Sequence, residues 1–131
     1  MEVRKSIQSF KDLIAWQKAF QLCLEIYDVT ARFPADERFG LTAELRKTAR
    51  SVAYNIAEGH QRNTTADYLR FLHIASGSRA ELETQLLLAE ALDYLDDESA
   101  NNLIGTCHEV AKLLAALIRA LRAKPKARRS T

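Results

Sequence analysis

Catalysis or metal binding in this 131-residue chain would have to start from three histidines, two cysteines and scattered carboxylates. Di-metal centres in helical proteins use Glu-x-x-His pairs, which place carboxylate and imidazole on one face, a turn apart. Position −3 from His60, His73 and His108 is Ala57, Arg70 and Gly105, so that pattern is missing and no metal is expected. Cys23 and Cys107 have no second Cys or His at ligand spacing, and each sits on an apolar face where a thiol serves as a small hydrophobe. Glycine-rich phosphate loops and Gly-x-Ser-x-Gly elbows are absent. Arg50 stands too far before His60, and Arg70 too close before His73, for the arginine–histidine pair of helical ribonucleases. The expectation is a chain with no catalytic residue and no cofactor.

Two polar clusters remain. Ser51, Asn55, Glu58 and Arg62 recur at helical spacing, and Glu58 near a helix C-terminus calls for a cation such as Arg62. Ser78 and Glu81 follow Gly77 in a second apolar-periodic stretch, where a mid-helix glycine signals close backbone approach. The preferred reading is a polar layer that fixes helix register through hydrogen bonds; the alternative is a shallow ligand pocket. Arg46, Lys47 and Arg50, with Tyr54 beside them, could hold a nucleic-acid backbone. Salt bridges to Glu44 or Glu58 would explain them equally well.

Charge is distributed unevenly. Of the 19 Lys and Arg, six (Arg119, Arg122, Lys124, Lys126, Arg128 and Arg129) fall in the last 13 residues, which contain no acid. The remainder carries a net charge of −4, so an acidic body ends in a basic tail. Such a tail either contacts phosphates in a salt-sensitive way or solubilises the end of a helix. No apolar run approaches the ~20 residues that cross a bilayer, and no apolar segment follows Met1–Lys5 as a signal peptide would require. Cytoplasmic residence and no membrane partner are expected.

The elements that must position these residues are helical. Four glycines and two prolines are too few for a turn-dense sandwich. Leu13, Trp16, Phe20, Leu24 and Tyr27 recur every three or four residues, predicting a first helix over about residues 10–32 with Ser9 as its cap and its buried face along that stripe. Leu41, Leu45, Ala49, Val52 and Ile56 predict a second helix, ended by Gly59 in the left-handed conformation. Leu72, Ala75, Leu82, Leu86 and Ala89 predict a third, begun by Asn63-Thr64-Thr65. Leu103, Cys107, Val110, Leu114, Leu117 and Leu121 form an unbroken seam in a fourth. Short connections make successive helices antiparallel, so the fold class is all-α, an up-down-up-down four-helix bundle. The bundle spans 10–122, with an N-terminal extension over 1–9 and the basic tail over 123–131.

Several stretches also resemble a known family. They are Phe10-Lys-Asp-Leu-x-x-Trp16-Gln-Lys-Ala19, Phe33-Pro-x-x-Glu37-Arg-Phe-Gly-Leu-Thr42, Asn55-Ile-Ala-Glu-Gly-x-x-Arg62 and Tyr68-Leu-Arg-Phe-Leu-x-x-Ala75-x-Gly-Ser-x-x-Glu-Leu-Glu-Thr84. In this order and spacing, across about residues 9–95, they are similar to the four-helix-bundle proteins encoded in intervening sequences of bacterial 23S rRNA genes. The resemblance implies a ring-shaped homopentamer with no established enzymatic activity. A distant relation to the accessory protein of diversity-generating retroelements, which binds RNA, implies nucleic-acid contact by analogy. Glu44, Lys47 and Ala53 depart from the glutamine, arginine and proline common in the family, and Glu44 sets an acid beside the basic group. The function expected is a non-catalytic homo-oligomer binding structured RNA through Arg46, Lys47, Arg50 and the tail. The alternative is a scaffold that docks a partner protein.

Overall fold

The computed structural model describes residues 7–124. Four α-helices, α1 (Ile14–Thr30), α2 (Leu41–His60), α3 (Thr65–Ala91) and α4 (Asp97–Ala123), run up-down-up-down, with short 3-10 turns at Phe10–Asp12 and Ala35–Glu37. Around the bundle, α1 packs on α2 and α4, and α3 packs on the same two helices. The backbones of the diagonal pair α1 and α3 make no close approach.

Three of the four helices, α2, α3 and α4, begin where a side chain accepts from one of their free N–H groups. Thr64 Oγ1 accepts from Asp67 N at 3.1 Å to start α3, and Asp96 Oδ1 accepts from Ser99 N at 2.7 Å to start α4. Ser9 and Asp12 form a reciprocal capping box, but it caps the 3-10 turn. Leu13 is extended, so α1 starts only at Ile14. The third helix stops in a Schellman motif: Asp93, at φ 64°, lets Tyr94 N reach Ala89 O at 2.9 Å.

The start of α2 is capped from a distance in sequence. Gly40 has no side chain to offer, and Glu37 Oε1 accepts from Leu41 N at 2.9 Å instead. The other oxygen of Glu37 accepts from the Tyr94 hydroxyl at 2.8 Å, tying the α1–α2 connection to the α3–α4 connection. These two donors, the Leu41 N–H first, hold the Glu37 carboxyl below the usual carboxylate range. A lowered folded value means that stability is gained above the unfolded pKa and lost as pH falls through the folded one. Glu37→Gln is therefore expected to reduce the acid-side loss of thermal stability. Melting curves between about pH 7 and pH 3 check this, with unchanged acid sensitivity as the contrary result.

The predicted stripes of α2 and α3 are buried, as is the α4 seam except for Leu117, which is partly buried. The first helix differs. Its core face is Ala15, Ala19, Leu22 and Ile26, while Phe20, Leu24 and Tyr27 of the predicted stripe face outward. The helix carries two apolar stripes, and its small residues fill the inner one, where α1 meets its neighbours.

Two glycines depart from their predicted roles. Gly59 lies within α2 rather than ending it, without positive φ. A Cβ placed there would lie 2.9 Å from Phe71 Cβ and 3.2 Å from Tyr68 O, so Gly59 marks a close approach of α2 and α3. Gly77, read as the close-approach residue, is exposed and has nothing within 4 Å of a built Cβ.

Candidate functional site

The basic group of α2 is divided by the helix. Arg46 turns onto α1, where Nε donates to Thr30 Oγ1 at 2.8 Å and the guanidinium lies 4.6 Å over the Tyr27 ring. Arg50 follows it, donating to the Tyr27 hydroxyl at 2.6 Å. Lys47 lies on the other side of α2, along the cleft shared with α3. These three do not form one basic surface. At the end of α4, Arg119 and Lys124 are exposed and Arg122 donates to His73 Nε2 at 3.0 Å. Lys126, Arg128 and Arg129 lie outside the described residues.

The two polar clusters meet in part. Ser51 and Ser78 share a hydrogen bond of 2.8 Å between α2 and α3, and Asn55 Nδ2 donates to Ser51 O at 2.8 Å. Glu58 pairs with Arg62 at 3.6 Å, and the Arg62 guanidinium lies 4.7 Å over the Phe71 ring. Glu81 stands apart from this layer, exposed at the edge of the cleft.

Two features escape a reading of the sequence. Glu83 on α3 pairs with Arg79 of its own helix at 2.6 Å and accepts from His108 of α4 at 3.1 Å, a hydrogen bond that links the two helices. Arg79, then His108, holds the Glu83 carboxyl below its usual range. The periodicity of α3 and α4 contains no sign of this contact, because it depends on their relative rotation. The second feature is the exposed apolar surface. On α1, Phe20 and Leu24 (58% exposed) face outward, joined across the α1–α2 groove by Tyr54 (63% exposed). With Cys23, Tyr27 and Ala53 they line a groove of about 290 Å³. Near the C-terminal end of α3, Leu87, Leu88 and the capping Leu92 are exposed, and Ile74 is exposed in the first half of the helix. Spacing alone shows the α1 stripe but not the direction in which it faces.

The profile of the 23S rRNA-intervening sequence protein family matches residues 11–116. The chain belongs to this family. The match reaches well into α4, beyond the motifs that carry the resemblance in sequence. A crystal structure from Bacteroides thetaiotaomicron, described as a protein of unknown function from the S23 ribosomal protein family, is similar in fold. Its TM-score is 0.77 at 24% identity, with 83% of this chain and 98% of that chain covered. No curated protein matches the chain.

Within this 23S rRNA-intervening sequence family member, burial acts against thiol chemistry. Desolvation pushes the Cys107 thiol up to about 12, so it stays protonated in the core. Cys23, half-buried beside the α1–α2 groove, is also raised by burial. Among the described residues, no group of three or more His, Cys, Asp or Glu is placed to hold a metal ion. No described helix is long and apolar enough to cross a membrane.

Proposed function

We propose that this protein is a non-catalytic homo-oligomer that forms a ring and binds structured RNA through the basic C-terminal ends of its copies. Five copies is the number that the family resemblance implies. The observation that carries the reading is the exposed apolar stripe of α1 together with the exposed leucines at the end of α3, on helices whose backbones do not approach each other closely. Exposed apolar surface marks an interaction site, and two such patches on different helices suit a head-to-tail contact that closes into a ring. A ring gathers Arg119, Arg122 and Lys124 of every copy, together with Lys126, Arg128 and Arg129 in the sequence beyond them. Weak phosphate contacts then act together. Arg46 and Arg50 contribute less to this reading than their sequence positions suggest, because Tyr27 and Thr30 already occupy them.

RNA affinity across a salt series tests the proposal. Full-length protein is expected to show a steep fall of log K with log salt. Ending the chain after Lys124, combined with Arg119→Gln and Arg122→Gln, keeps Leu121 in the core. It is expected to flatten the slope by about 0.7–0.9 for each phosphate that is no longer neutralised. An unchanged slope would remove RNA from the reading. The apolar groove lined by Phe20, Leu24 and Tyr54 favours the second reading, a scaffold for a partner protein.

A further inference from the structure

A second surface lies between α2 and α3. A polar cleft of about 510 Å³ opens there, with Glu44 and Lys47 on the α2 wall and Ser78, Glu81 and Gln85 on the α3 wall. Its volume is within the usual range for small-molecule sites. Gln85 is 91% buried, being 9% exposed, and its Oε1 has no hydrogen-bond partner. A buried carbonyl oxygen left unpaired is costly, and native proteins seldom keep one without a use. Ser51 and Ser78 are engaged with each other at 2.8 Å, and no hydroxyl of the cleft, that of the buried Thr48 included, donates to Gln85 Oε1.

The charges around the cleft indicate what would relieve it. Glu44 and Glu81 stand one on each wall, and among the described residues neither they nor Lys47 takes part in an ion pair. Two carboxylates against one ammonium leave the cleft net acidic, and an orphaned acceptor calls for a donor. Carboxylates facing each other across a groove suit a planar, donor-rich cation. We infer that the α2–α3 cleft binds a guanidinium or primary ammonium head group, seated between Glu44 and Glu81, with the Gln85 amide turning so that its sealed Oε1 comes out to accept an N–H of the ligand. The register-fixing role expected of the polar layer accounts for the Ser51–Ser78 bond but not for Gln85.

The same head group could arrive on a free small molecule or on a side chain of a docked polypeptide. Titration of the full chain with agmatine, and separately with an end-blocked arginine tripeptide, distinguishes the sources. Calorimetry gives affinity, and amide resonances of Ser78 and Gln85 report the place. Agmatine binding assigns the cleft to a free cation; binding of the tripeptide alone assigns it to a polypeptide side chain. In either case Gln85→Leu and the double change Glu44→Gln with Glu81→Gln are expected to weaken binding by about tenfold or more. Gln85→Glu keeps an acceptor and is expected to bind at least as tightly as the unaltered chain, which separates a ligand contact from a purely structural role. Lys47→Ala is expected to leave affinity unchanged or to raise it. The proposal is overturned if neither cation moves these resonances at about 10 mM, or if the Gln85 and glutamate variants bind with unaltered affinity. Glutamate binding that depends on Lys47 would overturn it as well, by making the cleft an anion site.

Discussion

Gly59→Ala is expected to destabilise the bundle, while Gly77→Ala in the next helix is expected to stabilise it. At Gly59 the added methyl meets Phe71 Cβ at 2.9 Å and the Tyr68 carbonyl oxygen at 3.2 Å. Neither atom is the end of a flexible side chain, so α2 and α3 must separate, disturbing the packing of Ile56 and Leu72. Overpacking of this kind costs about 1–3 kcal/mol, and a helix-propensity gain of about 1 kcal/mol offsets it only in part. At Gly77 nothing lies within 4 Å, so only the propensity gain of about 1 kcal/mol applies. Each kcal/mol should move the melting midpoint by about 3–5 °C for a domain of this size. Thermal melts of both variants at matched protein concentration check the order. A loss at Gly77 as well would mean that a neighbouring copy packs against the outer face of α3.

The second large effect concerns assembly. Leu24→Arg and Leu88→Arg place a guanidinium in the exposed apolar surfaces of α1 and α3 respectively, and each is expected to reduce the proposed ring to monomers. Covering a leucine contributes about 1.5–3 kcal/mol, and burying an unpaired charge in its place adds a further penalty. Sedimentation velocity reads the result. A head-to-tail ring makes a sharper demand on a mixture of the two variants. The Leu24→Arg copy keeps its α3 surface and the Leu88→Arg copy keeps its α1 surface, so one sound interface survives between them. The mixture should give heterodimers and no larger species. If each surface instead pairs with itself about a two-fold axis, Leu88→Arg alone would leave a dimer joined through α1.

Both predictions depend on which way a residue faces, and there sequence and tertiary structure divide. The four helices, their order and the inward faces of α2, α3 and α4 are legible, because each of these faces repeats at the helical period against polar neighbours. The capping oxygens of Ser9 and Thr64 are legible too, being local, although Ser9 caps a 3-10 turn. In α1, periodicity produces two stripes and cannot rank them. The larger residues draw the choice, yet Ala15 and Ala19 face the core and Phe20, Leu24 and Tyr27 face out. Gly59, predicted to end α2, marks a close approach, and Gly77, predicted to mark one, does not, since a missing Cβ marks a close approach only once the neighbouring helix is in place.

The polar chemistry divides along the same line. Ser51, Asn55, Glu58 and Arg62 can be grouped from spacing because their contacts run along one helix. Glu37 capping Leu41 while holding Tyr94 joins residues 57 positions apart. Glu83 with His108, and the unpaired Gln85, depend on how α3 is rotated against its neighbours. Spacing along a chain records the faces of its helices, whereas the rotation that brings two faces together follows from packing the whole core. Composition and periodicity here specify a helical bundle with a basic end. Packing of the core is what turns Arg46 and Arg50 onto α1, leaves the Phe20–Leu24 stripe of α1 uncovered, and opens an acidic cleft beside an unpaired carbonyl between α2 and α3.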